Sequence, residues 1–351
     1  MFNIRNRFIV ALFSITFVMF QPVAFAQNPD AETALDDFIH YALIANVELA
    51  DAYALILIRD DMSNEDFYKM VIETKDRHQR FDRAIGWALF VEDLEPLASI
   101  LEDRFETGRV SVIRNSANLA ESIELLNGTT RQRILADERL QEAGEYAVPL
   151  LLRQLQNAST ARGTKNAKEM LTRLGRDAVL PLTVALPNLN NESKVHVATI
   201  LGDIGYKHAG PALIVCATDS QNPTVVRIAA STALGKIGMD ANPSNLSAQQ
   251  TVVANRFYAG ENSLQPQPIG GLNLFWKWDG ENQLVALDIP EEVFFDVMAM
   301  YYASEALGTD VDNATAMSTF VGANLRRNRG LLQLALQLQM ARHTECLKVK
   351  R

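Results

Sequence analysis

The side chains best equipped for chemistry in this chain are five histidines, His40, His78, His196, His208 and His343, and two cysteines, Cys216 and Cys346. Their spacing builds no recognisable centre. No His-Glu-x-x-His run sets two imidazoles and a base on one helix face, and no histidine is followed by glutamate. Cys-x-x-Cys-His is missing, which argues against a covalently attached c-type haem. Neither a Gly-x-Ser-x-Gly elbow nor a phosphate-cradling Walker A loop occurs. Asp36, Asp37, His40, Glu48 and Asp51 are of metal-ligand type, yet at helical spacing they read as a solvated face. His196, His208 and Cys216 could meet at a metal only through tertiary folding, and a structural role fits each better. The sequence therefore predicts no catalytic residue, no metal and no cofactor.

The elements that hold these residues repeat. Arg139–Gly144, Met170–Gly175, Ile200–Gly205 and Ala233–Gly238 share one helix-ending pattern, with final glycines 31, 30 and 33 residues apart. Glycine at these ends suits the left-handed turn that closes a helix. Pro149, Pro181 and Pro211 follow the first three glycines, and proline costs little at a helix start because its missing N–H would be unpaired there. The helix before each glycine carries a leucine column, Leu140, Leu171, Leu201 and Leu234. Four residues earlier lies a smaller column, Ala136, Ala167, Val197 and Ala230. Four residues apart is one helix face, and small residues there allow close packing. Each unit is a pair of antiparallel helices that can bury its apolar faces only against neighbouring pairs.

Val225 to Gly238, with Arg227, Ala230, Leu234 and Gly235-Lys236-Ile237-Gly238, resembles a HEAT repeat, in the short bacterial form shared with phycobilisome-lyase proteins. The resemblance covers about a third of the chain and implies an all-α fold, an α/α solenoid of HEAT-like helical hairpins. It implies no particular activity, since a fold hosts functions without dictating them. Asp219 and Arg227 match positions where such repeats carry an Asp–Arg ladder, and Lys194 takes the Arg227 place one unit earlier.

The flanks extend this plan. Residues 1–26 read as a signal peptide: Arg5 and Arg7 in front, an apolar run from Phe8 to Phe20, and Ala24-Phe25-Ala26 as the cleavage site. Uncleaved, the segment would be a membrane anchor. Its removal takes the formal charge from −9 to −11, because Arg5 and Arg7 are its two charged residues. An acidic exported chain lacks the footprint of a nucleic-acid binder. Residues 27–130 read as helices capping the repeats of 131–238, beginning with helical spacing from Asp30 to Arg59. Cys216 takes an apolar position, and a bridge to Cys346 is not expected. Residues 239–271 form a loop and linker with one helix, from Ser247 to Tyr258. In 272–351, Leu272 to Trp278 alternates like a strand and turns at Asp279-Gly280 into Gln283–Ile289, one small β-hairpin. Helices from Pro290 to Ala306, Asn313 to Leu325 and Gly330 to His343 follow. The last is so broadly apolar that it must dock back on the repeats or belong to a longer protein.

The expected function is a non-enzymatic, exported (periplasmic or extracellular) scaffold that binds a protein partner through its concave helical face. Lys168, His196, Asp203, Arg227 and Lys236, second-helix residues off the apolar columns, are the candidate contacts. One alternative is a carbohydrate or small-ligand binder that stacks its ligand on Phe275, Trp276 and Trp278. Another is a cofactor-handling enzyme like the phycobilin lyases, against which export argues because chromophore attachment belongs inside the cell.

Overall fold

The computed structural model describes residues 30–157, 160–279 and 283–348, with side chains through residue 334. The leader of residues 1–26, Gly280 of the hairpin turn, and the side chains of His343 and Cys346 lie outside the described residues. The fold is all-α with one small two-stranded antiparallel sheet. It divides into two compact units, residues 1–105 and 106–351. The boundaries drawn from sequence at 130, 238 and 271 fall inside the second.

The first unit contains α1 (Ala31–Leu43), α2 (Val47–Arg59), α3 (Asn64–Ile72), α4 (Lys75–Ala88) and the start of α5 (Glu95–Arg114), within which the division falls. Asp30, Asn46, Ser63 and Thr74 each cap a helix by accepting the N–H three residues on. The helical spacing from Asp30 to Arg59 is broken into two helices at Ala45, whose φ of 58° leaves the helical region. Phe38, Phe67 and Phe81 fill the core. Asp36 joins Glu32 and Glu73 around Arg77, at 3.2, 2.7 and 2.6 Å. Asp37 hydrogen-bonds Tyr53, while His40 and Glu48 are exposed.

The second unit continues through α6 (Ser116–Leu125), α7 (Thr130–Ala143), α8 (Val148–Asn157), α9 (Ala161–Leu174), α10 (Arg176–Ala185), α11 (Asn191–Ile204), α12 (Gly210–Thr218), α13 (Thr224–Lys236) and α14 (Leu246–Tyr258). The hairpin strands β1 (Leu272–Trp278) and β2 (Leu284–Pro290) then precede α15 (Glu291–Thr309) and α16 (Ala314–Lys348). The leucine and small-residue columns are fully buried. They meet where α7 packs on α9, α9 on α11 and α11 on α13, while α8 packs on α10 and α10 on α12. Each buried leucine contributes about 1.5–3 kcal/mol of transfer free energy.

Gly144, Gly175, Gly205 and Gly238 all have positive φ, between 52° and 86°. Gly205 is left-handed, whereas Gly144 and Gly175, with ψ near −125°, occupy ground open essentially to glycine alone. Pro149 and Pro211 stand second in α8 and α12, each after a 3-10 turn. Pro181 departs from the expectation. It lies inside α10, because the chain turns helical at Arg176, directly after Gly175, and the proline's missing N–H falls within the helix.

The helices of this unit are covered unequally. In α10 every residue from Ala178 to Ala185 except Val184 is buried, and α12 buries Pro211, Leu213, Ile214, Cys216 and Ala217. The cover comes from later in the chain: β1 packs on α10, α14 on α12, and α15 on β1 and α14. By contrast, α7 and α13 leave Ile134, Leu135, Val225 and Ile228 between 40 and 61% exposed.

The second strand runs Leu284–Pro290, one residue later than the alternation suggests, pairing Trp276 with Ala286. The two C-terminal helical segments are one helix, α16, which passes through Gly330 without a break. Gly330 is where α16 approaches α15, since a Cβ there would sit 3.0 Å from Val293 Cγ1. Leu331 and Leu332 remain 43 and 62% exposed.

Candidate functional site

The five candidate contacts lie on α9, α11 and α13, and the structure brings four of them together in pairs. Lys236 Nζ donates to Asp203 Oδ1 at 2.6 Å, tying α13 to α11. Both side chains are more than 40% exposed, so the pair contributes at most about 1 kcal/mol and can exchange partners. Lys168 on α9 lies close enough to His196 on α11 for its charge to matter. Partial burial, followed by that charge, lowers the His196 pKa, while Glu192 one turn earlier opposes the shift.

Arg227 stands apart, at the opposite end of α13 from Lys236. Its Nη2 reaches Thr224 Oγ1 at 3.4 Å, and its Nε is buried with no protein partner. Asp219 accepts the Gln221 N–H at 2.8 Å instead of pairing with Arg227 in a ladder. Lys194 Nζ of α11 instead donates to Asn222 Oδ1, between α12 and α13, at 2.8 Å, and Asn222 in turn donates to the Cys216 carbonyl. Cys216 is a buried free thiol whose pKa burial pushes up, as an apolar position implies.

Arg173 of α9 pairs with Asp137 of α7 at 2.8 Å. They line a cavity of about 210 Å³ with Arg133, Ile134, Asn166 and Glu169. Sequence reasoning passed over this pair, although its signal was available. Arg173, Asp203 and Lys236 each stand two residues after a column leucine.

The aromatic platform is not offered to a ligand. Trp276 is 5% exposed, and its indole Nε1 donates to Glu145 Oε2 at 2.8 Å, 131 residues away. Phe275 packs edge-on against Tyr301, and Trp278 is half-buried against the core. Strand alternation turns Phe275 and Trp276 to opposite sides, and each side meets a covered surface. Glu145 itself is 3% exposed. Burial pushes its pKa up to about 8, with a further push from the Asp177 charge; hydrogen bonds from Trp276 and the Leu274 backbone offset part of this. Asp177, raised by its own burial, accepts the Gln267 N–H. The hairpin and the preceding segment thus close over one buried acid, Glu145, and one half-buried acid, Asp177. Arg114 secures the second strand, reaching Asp288 at 3.1 Å and lying over the Tyr146 ring.

A different cavity, about 160 Å³, lies between α10, α12, α14 and α15. Pro187, Pro211, Val215, Tyr301 and Tyr302 wall it, and His208, Gln250 and Glu305 bring polar groups. His208 is 1% exposed, and neither ring nitrogen has a protein partner. Burial, aided by the charges of Arg256 and Arg176, pushes its pKa down to about 3, so the imidazole is neutral at ordinary pH. A neutral imidazole has one donor and one acceptor, and leaving either unmade in a protein interior costs about 1–3 kcal/mol. His196, His208 and Cys216 therefore each have different neighbours. Among the described residues no group of three His, Cys, Asp or Glu side chains is placed to hold a metal.

Compared with known protein families, curated proteins and solved structures, the chain matches none.

Proposed function

We propose that this protein is an exported, non-enzymatic α-solenoid of HEAT-like helical hairpins whose α7–α9–α11–α13 layer binds another protein. The arrangement is supported by the order of packing, in which each helix of a layer meets its counterpart one unit on, and by the continuous buried columns. The observation that carries the binding role is the unequal cover. Within the second unit β1 packs on α10 and α14 on α12, with α15 against both β1 and α14, while α7 and α13 keep Ile134, Leu135, Val225 and Ile228 exposed beside charged side chains. Exposed apolar residues rimmed by weakly held charges have the composition of a protein-recognition surface. Lys168, His196, Asp203, Arg227 and Lys236 are its proposed contacts, and the amino-terminal leader is the proposed route out of the cell.

A photo-crosslinking residue at Ile228 tests the reading, with a second at Val311, 76% exposed in the turn before α16, as control. The expected result is a discrete protein adduct from position 228 that Arg227→Glu plus Lys236→Glu abolishes while helicity by circular dichroism is kept. Equal adducts from both positions, or an adduct indifferent to charge reversal, would overturn it.

A further inference from the structure

Beyond this protein-binding reading, we infer that the cavity floored by His208 is a binding site for a small, uncharged, polyhydroxylated molecule about the size of one sugar ring. His208 sits in the 3-10 turn Lys207–Ala209, between α11 and α12. The same turn leaves Lys207 exposed and buries His208 completely. Both ring nitrogens lack protein partners, although buried polar groups in folded proteins almost always find one. The ring borders a cavity, and a small shift of that wall would bring its covered nitrogens within reach of a molecule there that supplies what the protein does not.

The lining selects the ligand class. Its one charged side chain is Glu305, exposed on α15 at the rim. A carboxylate or phosphate would meet that acid and find no cation in the lining to answer it. An ammonium group only donates, so it would leave the N–H of the neutral imidazole without an acceptor, as a carboxylate, which only accepts, would leave its lone pair without a donor. Neutral groups remain. A hydroxyl donates and accepts at once, which matches a neutral imidazole with one donor and one acceptor. Gln250 has its oxygen occupied by Thr309 at 3.0 Å, which leaves its amide N–H groups as donors. Glu305 adds an acceptor at the mouth. Tyr301, Tyr302, Pro187 and Pro211 supply the apolar walls that the C–H face of a ring needs. At about 160 Å³ the cavity is smaller than the ~300–1,000 Å³ pockets of drug-sized ligands, so a single ring fits and an oligomer does not.

The test is a titration of the full chain, followed by protein-observed NMR and calorimetry. Glucose, galactose, mannose, N-acetylglucosamine and myo-inositol represent the class, and ethanolamine and acetate serve as charged probes. At least one neutral polyol is expected to bind in the millimolar range. His208→Leu should weaken it by about tenfold or more, the scale of losing a good buried hydrogen bond. Val215→Trp gives an independent block, because Val215 lines the cavity yet is 40% exposed on α12, where a larger side chain leaves the core untouched. The inference is overturned if no polyol binds, if ethanolamine or acetate binds in preference, or if polyol binding survives both substitutions.

Discussion

Replacing Glu145 with glutamine should make the protein markedly less sensitive to alkaline conditions. The folded-state pKa of Glu145 stands at about 8 against an ordinary 4.5, chiefly because the carboxyl is buried under β1. A raised acid pKa means that the folded protein holds a proton the unfolded chain releases. The resulting stability is complete below pH ~4.5 and is lost as pH climbs from there to about 8. At ~1.4 kcal/mol per pH unit across that gap, the loss amounts to roughly 5 kcal/mol, a large share of a typical folding free energy. Glutamine stays neutral at every pH and keeps an oxygen that can accept the Trp276 indole N–H.

Wild type and Glu145→Gln should therefore differ by no more than about 1 kcal/mol at pH 4, the scale of one altered hydrogen bond. The variant should gain several kcal/mol relative to wild type by pH 9. Urea titrations at pH 4, 6.5 and 9, followed by tryptophan fluorescence in a Trp87→Phe background, report on the two hairpin indoles. Asp177 adds to the effect in the same direction, since its charge destabilises the Glu145 carboxylate and glutamine removes that repulsion. A wild type-to-variant difference that stays flat from pH 4 to 9 would refute the reasoning, and with it the burial of Glu145 under the hairpin.

Gly202 and Gly235 occupy the same place after a column leucine, yet a Cβ at Gly202 would sit 2.8 Å from Ala233 Cα while one at Gly235 meets nothing within 4 Å. Gly202→Ala should cost about 1–3 kcal/mol by overpacking α11 against α13, and Gly235→Ala should stabilise by ~0.5–1 kcal/mol; thermal denaturation of both variants decides. His208→Leu should hold or raise stability, by up to about 2 kcal/mol, because it removes two unmet buried polar groups without opening a large void; a clear loss in urea titration would mean the ring has a partner. A double-mutant cycle on Asp203 and Lys236 should return a coupling below about 1 kcal/mol that shrinks in high salt, as exposed pairs do; a larger, salt-insensitive value would count against treating them as free to re-pair with a partner.

What could be read from sequence follows the distance over which each interaction acts. The leucine and small-residue columns, the positive-φ glycines and the strand alternation at Leu272–Trp278 are local, because a helix or strand writes its buried face at its own period. The helix break at Ala45 and the unbroken course of α16 were missed, since a single residue's φ and a tolerated Gly330 leave the period intact. The chemistry of the cavity and of the hairpin seat escaped for a different reason. Glu145 and His208 each stand in a short turn between helices, where a local reading expects solvated punctuation. Elements more than 80 residues later complete their surroundings: β1 covers Glu145, and α15 walls the cavity beside His208. A trace of that cover is present in the sequence: α10 and α12 are apolar on nearly all sides, more than one neighbouring layer can bury. The all-round apolar α12 thus announces that the turn before it, which holds His208, will be enclosed, whereas α8 after the Glu145 turn exposes Arg153 and Gln156 and gives no such sign; a polar residue fixed in an enclosed turn pays a desolvation cost that needs a reason. For Glu145 the reason is the indole of Trp276. For His208 the protein supplies no equivalent, which is why the cavity beside it, and not the aromatic hairpin, is where a small ligand belongs.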